Sequence, residues 1–283
     1  MIVNEKVANE EQDVATQRCG MRRLAVVGKG GVGKTALAAI LIRVLGEGGM
    51  AGRLLAIDAD PALGLTHALG MHVERTMGQV REDILAAARS GIDAQMTEIA
   101  GMLDYMVMEA LAEDENLALL AMGRSESLGC FCPVNDILRD AIRILSQTFD
   151  TIVIDGEAGL EQINRQVMDE LDWLVMVTDP SSRGLQTVAL LKEIVEEKKV
   201  VRCARTGVVF NRVEGDEGFL REAAARIGVE VLSFIPQDPA ITSYDLVGRS
   251  LAELPAGSPA VSAVRGLAAI LCGPAAGRVG TPD

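Results

Sequence analysis

The eight residues Gly28-Lys29-Gly30-Gly31-Val32-Gly33-Lys34-Thr35 constrain this chain more than any other segment. They fit the pattern G-x-x-x-x-G-K-[ST], a loop whose backbone N–H groups curl around a polyphosphate. Gly28, Gly30, Gly31 and Gly33 permit the tight turn and the close approach that a Cβ would block. The apolar run Leu24-Ala25-Val26-Val27 before the loop reads as a buried parallel strand. The stretch Ala36 to Leu45 after it, rich in Ala, Leu and Ile, reads as a helix. Strand, glycine loop and helix form the context such a motif requires, and the helix N-terminus adds its own anion-binding field. Gly30, Gly31, Val32, Gly33, Lys34, Thr35 and Ala36 are thus the expected nucleotide contacts. Lys34 is expected on the β- and γ-phosphates and the Thr35 hydroxyl on Mg²⁺. The segment points to a nucleoside triphosphate.

Further apolar runs predict strands near Arg53–Ile57, Leu117–Met122, Thr151–Ile154, Trp173–Thr178, Gly207–Asn211 and Glu230–Ile235. Helical stretches are expected near Lys34–Leu45, Val80–Ser90, Val134–Ser146, Gln162–Glu170, Leu185–Lys198, Gly218–Ile227 and Pro259–Leu271. This alternation predicts an α/β fold: a single doubly wound, mostly parallel β-sheet of about seven strands flanked by helices, with sites at the carboxyl ends of the strands. We expect one domain over residues 21–272, preceded by a flexible polar extension, 1–20, and followed by a Gly/Pro/Ala tail, 273–283. Between the second and third expected strands lies an insertion, Ala94 to Asn116, with Met96, Met102, Met106 and Met108. These methionines suit packing of an irregular core, and the insertion also suits a partner or dimer surface.

Net charge is −13 over 283 residues, which argues against a surface that neutralises nucleic-acid phosphates or docks on an anionic membrane. No apolar run reaches the ~18 residues of a membrane span, and no export signal is visible. A cytoplasmic protein with no nucleic-acid or membrane partner is expected. The five cysteines, Cys19, Cys130, Cys132, Cys203 and Cys272, then read as reduced thiols. No guanine-reading N-K-x-D segment is present, which favours ATP.

Two strands end on acids. Leu55-Ala56-Ile57-Asp58-Ala59-Asp60-Pro61 places two carboxylates just past a buried strand, pointing at metal and water. Thr151-Ile152-Val153-Ile154-Asp155 is an apolar strand closing on the usual second Mg²⁺ carboxylate. Gly156-Glu157-Ala158-Gly159 follows, and the Gly159 N–H is expected at the γ-phosphate.

Cys130-Phe131-Cys132 carries two thiols one residue apart, a strained disulfide pair but a good half of a soft-metal site. A symmetric homodimer would supply the other half, since a pair near the twofold axis meets its own copy. Four thiolates suit Zn²⁺ in a tetrahedron or Ni²⁺ in a square plane.

Lys29, directly after the first glycine, makes GKGGVGKT resemble the deviant phosphate loop of the MinD/ParA/nitrogenase-iron-protein group of ATPases. The resemblance implies that Lys29 acts in trans on the phosphates of the partner in a nucleotide-sandwich dimer, like an arginine finger. It also implies that Asp60 orients the attacking water and Asp58 lies nearer Mg²⁺ and its water shell. Asn211 matches the base-reading Asn, and Pro236-Gln237-Asp238 matches the segment that touches adenine. The combination GKGGVGKT, AIDADPALGL, MGR…GCFCPVN, DGEAGLE and VTDPS, across about residues 22–270, resembles more narrowly the CooC-type ATPases. One departure is Gln162, where that family's second switch would carry His.

That resemblance implies a dimerising ATPase, homodimeric when ATP- or metal-bound. It would couple ATP and Mg²⁺ to delivery of Ni²⁺, held by Cys130 and Cys132 of two subunits, into a client of the carbon monoxide dehydrogenase or acetyl-CoA synthase type. Two alternatives are an electron-transfer protein with a subunit-bridging [4Fe–4S] cluster and a positioning ATPase of the ParA/MinD kind. His67 and His72 are expected to have surface or packing roles.

Overall fold

The computed structural model describes residues 22–47, 49, 51–89, 102–124, 132–156, 170–198 and 201–273. In chain order the strands are β1 (Arg23–Gly28), β2 (Leu54–Asp58), β3 (Leu111–Asp114), β4 (Leu117–Ala121), β5 (Thr151–Asp155), β6 (Glu170–Thr178), β7 (Arg202–Val213) and β8 (Val231–Pro236). The helices are α1 (Lys34–Glu47), α2 (Gly64–Leu69), α3 (Met77–Arg89), α4 (Cys132–Ser146), α5 (Ser182–Lys198), α6 (Glu217–Ile227), α7 (Pro239–Leu246) and α8 (Pro259–Cys272). A 3₁₀ turn, Leu251–Glu253, precedes α8, and residues 102–109 are also helical.

All eight strands lie in one sheet, in the order β3-β4-β2-β5-β1-β6-β7-β8. Every pairing is parallel except β3 with β4. The central strands are apolar throughout because helices cover both faces. Alternation along each strand sends its side chains into two separate cores. Leu24, Val26, Leu54, Ala56 and Val153 pack with α1, α2 and α8. Ala25, Val27, Leu55, Ile57, Ile152 and Ile154 pack with α3, α4, α5 and α6. Chain order reverses beside β1: the chain leaves β1 for β2 on one side, and β5 crosses β1 to reach β6 on the other. A sheet of this kind places its ligand site at that reversal, outside the strands' carboxyl ends, and there the glycine loop emerges.

The fold class is as expected, with corrections in detail. Among the described residues there are eight strands, because β3 lies within the stretch read as an insertion. Its Leu-Ala-Glu-Asp pairs antiparallel with β4 through a turn at Glu115-Asn116. Half of that edge strand faces solvent, so its sequence carries no apolar run. β6 starts at Glu170, where Glu170 registers with Arg202, so this residue is strand and not the end of a helix. The rest of the expected helix Gln162–Glu170 lies outside the described residues, as do residues 1–20 and 274–283. Helices α2 and α7 were not expected; both are short, and α7 buries none of its residues.

Of the methionines, Met106 is buried in the second core, while Met102 and Met108 are 45% and 51% exposed. Packing thus accounts for one of them, and Met96 lies outside the described residues. Cys203 is a free thiol whose pKa burial pushes up to about 11. Cys272 is disulfide-bonded, which corrects the expectation of a reduced thiol at this position. No helix among the described residues is long and apolar enough to cross a membrane.

Candidate nucleotide site

The phosphate loop is held from beneath by its neighbours. Gly28 ends β1 beside β6, and a Cβ built on it would fall 2.2 Å from the carbonyl oxygen of Val177. Gly33, at φ +90°, leaves room for Asn211, whose Nδ2 lies 2.3 Å from where a Cβ would stand. That amide donates to the carbonyl of Val32 at 2.7 Å. The only strand residue linking β7 to the loop by its side chain, among the hydrogen bonds of the described residues, is therefore Asn211. Lys34 opens α1 and is buried, and its Nζ donates to the Lys29 carbonyl at 3.3 Å. A buried ammonium resting on a backbone carbonyl is well placed to move onto a stronger anion. The Lys29 side chain is exposed.

Two carboxylates stand side by side beyond the loop. Asp58 and Asp155 are register partners on β2 and β5, and alternation points both to the α1 face. Asp58 is fully buried and well satisfied. Its Oδ2 accepts from the backbone N and the Oγ1 of Thr66, each at 3.0 Å, and its Oδ1 accepts from the Asp60 N at 3.2 Å. Burial raises its pKa, and the Thr66 hydrogen bonds oppose that. Asp155 is 1% exposed, and no hydrogen bond among the described residues reaches either of its oxygens. Burial raises its pKa to about 7; the nearby Thr35 hydroxyl and the Lys34 ammonium offset this only in part, and the Asp58 charge adds to it. An orphaned buried carboxylate demands an explanation. An oxygen-only donor set of carboxylate and hydroxyl beside a phosphate loop fits Mg²⁺, a hard cation that keeps several of its waters.

Asp60 is half-buried, and its carboxylate accepts from the Ala62 N at 2.8 Å. The turn continues through Leu63, a non-glycine residue at φ 58°, and Gly64 comes against Thr35. Gly64, at the end of this turn, thus lies against Thr35, the residue expected to face Mg²⁺.

On the base side, Pro236 ends β8 and Gln237 is exposed. Asp238 is buried, and its carboxylate is spent on structure: it accepts from the Ala240 N at 2.9 Å, the Ser258 Oγ at 2.5 Å and the Ala260 N at 3.3 Å. These bonds hold its pKa down against the effect of burial, which alone would raise it. Any base contact from this segment therefore falls to backbone groups and to Gln237. Gly159 and Cys130 lie outside the described residues; Cys132 opens α4. His67 and His72 are exposed, and both line a cleft of about 560 Å³ between α2 and the end of α7. Sequence reasoning missed Thr66, whose only signal was a Thr in the first turn of a helix too short to be expected.

Residues 24–251 match the family described as CbiA, the CobQ/CobB/MinD/ParA nucleotide-binding domain. The chain belongs to this family. An uncharacterized ATP-binding protein of Methanocaldococcus jannaschii is 38% identical over 237 residues, covering 82% of this chain and 91% of its own. The carbon monoxide dehydrogenase accessory protein CooC of Rhodospirillum rubrum is 31% identical over 246 residues, covering 82% and 90%. Among solved structures, the septum site-determining protein MinD of Pyrococcus horikoshii, complexed with Mg-ADP, aligns at a TM-score of 0.62 and 23% identity over 88% of this chain and 95% of its own. The MinD/ParA-type fold is thereby shown, with its nucleotide-binding loop at the reversal beside β1.

Proposed function

We propose that this protein is a dimerising, Mg²⁺-dependent ATPase that delivers nickel to a carbon monoxide dehydrogenase or acetyl-CoA synthase type enzyme in the cytoplasm. The observation that carries the ATPase reading is Asp155: two buried, unsatisfied oxygens beside Thr35, at the end of the strand next to the phosphate loop. The loop residues Gly30 to Ala36 would hold the phosphates, and Lys34 would move from the Lys29 carbonyl to the β- and γ-oxygens. Thr35 and Asp155 would hold Mg²⁺, which supplies charge neutralisation on the phosphates when bound. Asp58 stands behind them, and Asp60 would orient the water that attacks the γ-phosphorus as the bond to the β–γ bridging oxygen breaks. The exposed Lys29 would serve the partner's phosphates. Asn211 and the 236–238 segment would flank adenine, and Gly159 the γ-phosphate.

The nickel reading rests on Cys130 and Cys132 together with the similarity to the Rhodospirillum rubrum CooC accessory protein. Two copies of the chain would share one ion through four thiolates, and hydrolysis would open the dimer and hand it over. The test is an anaerobic Ni²⁺ titration of the reduced full chain with and without ATP, recording stoichiometry and mass together. Half an ion per chain in a dimer, lost in Cys130→Ser with Cys132→Ser, is the expected result. An unchanged titration in that variant overturns the shared site. Iron with acid-labile sulfide in its place would favour electron transfer, and hydrolysis stimulated by DNA or liposomes would favour a ParA/MinD-like positioning role.

A further inference from the structure

Asp58 and Asp155 are neighbours of equal depth, yet only Asp58 is tied down, and two of its three hydrogen bonds come from one residue, Thr66. Thr66 lies in the first turn of α2, eight positions further along the chain, and is 5% exposed. Its amide and hydroxyl both reach Oδ2, so this contact closes the chain between residues 58 and 66 into a loop pinched at its base. Inside the loop, the Asp60 carboxylate caps Ala62, the Asp60 carbonyl accepts from Leu63 at 3.0 Å, and Leu63 takes a left-handed conformation. At the loop's far side Gly64 meets the Thr35 side chain, 3.4 Å from a Cβ position. An unbranched chain of seven residues has many arrangements; one at φ 58° persists only when its surroundings over-determine it.

We infer that Thr66 is a positioning residue for hydrolysis: by clamping Asp58 it holds in place the turn that carries Asp60 and that meets Thr35 of the phosphate loop at Gly64. This deepens the ATPase reading and rests on it. Thr66 is buried and spends both its amide and its hydroxyl on Asp58, so it acts through the placement of Asp60. Without the hydroxyl, the amide bond alone holds the base of the loop, and Asp60 samples positions in which its carboxylate no longer faces the γ-phosphate. Misplacement of an orienting group by about 1 Å costs as much as a hundredfold in rate.

The experiment compares Thr66→Val, which keeps the branched shape and loses the hydroxyl, with Thr66→Ser, which keeps the hydroxyl. Three quantities are read in the full chain: kcat for ATP, affinity for a fluorescent ATP analogue, and amide hydrogen exchange over residues 59–66. Thr66→Val is expected to lower kcat on the order of tenfold with analogue affinity within about twofold, and to speed exchange in 59–66 while the sheet amides stay protected. Thr66→Ser is expected to restore both. Equal loss in the two variants overturns the inference, because the hydroxyl kept in Thr66→Ser would then not preserve the placement, and so does an unchanged kcat with unchanged exchange in Thr66→Val. If the wild type hydrolyses no ATP, the ATPase reading falls by itself, and the exchange comparison still decides whether the clamp orders the loop.

Discussion

Asp155 is a carboxylate whose folded environment favours its neutral form, and this has a sign that a melting experiment reads. Its folded pKa of about 7 lies above the ordinary 3.8. Between those values the folded protein holds a proton that the unfolded chain releases, so stability falls as pH rises through that window. Below about pH 4 both states are protonated and no penalty exists; above about 7 the penalty is complete. In metal-free protein, Asp155→Asn should therefore gain on the wild type steadily from pH 4 to pH 7.5, by up to about 4 kcal/mol, and should match it at pH 4. Parallel melting temperatures across that range would remove the unsatisfied carboxylate from the account. Adding Mg²⁺ with ATP should raise the wild-type melting temperature at pH 7.5 and leave the variant nearly unmoved. At this scale the sequence announced Asp155 by the apolar run before it. It said nothing of the difference between Asp155 and Asp58, because that depends on Thr66, on an element that short-range patterning does not reveal.

Among the elements, the last two helices are joined by one side chain. Asp238 caps α7 through Ala240 and reaches the N-cap of α8 through Ser258 and Ala260. Ser258 in turn caps α8 at Val261. An N-cap removed costs about 1 kcal/mol, and here two helix starts lose support together. Asp238→Ala is expected to lower the melting temperature by about 4–8 °C, with Asp238→Asn in between, since the amide keeps one acceptor. A shift under about 1 °C for Asp238→Ala would show that the brace is redundant. The elements nearest the phosphate loop were legible in the chain because glycine spacing, a buried strand and an alanine-rich helix all agree there. Pro236-Gln237-Asp238 was legible as a loop but not as a brace. Its partner Ser258 lies twenty residues on, and sequence alone does not bring the two together. β3 escaped for a different reason: a short edge strand whose second half is the exposed pair Glu113-Asp114 carries little of the apolar signal that marks β1 or β5.

For the whole molecule, the proposed working unit is a pair of chains. Lys29 stands exposed on the loop while Lys34 is buried below it, so the two lysines of one motif face opposite ways: one inward to its own site, one outward. Lys29→Ala should abolish hydrolysis while leaving ATP-analogue affinity within about threefold, and light scattering should show a monomer at ATP concentrations that pair the wild type. An ATP-dependent dimer with normal turnover in this variant would sink the trans role. The two cores, meeting only at the sheet, have a consequence of their own. The phosphate loop, α1, α2 and both buried carboxylates belong to one side. The helix that Cys132 opens, together with α3 and the exposed Met102 and Met108 of the 102–109 stretch, belongs to the other. On the proposed function, inheritance can thus rewrite the helices of the second side to suit a new client while the hydrolytic machinery on the first is left under its own, separate selection.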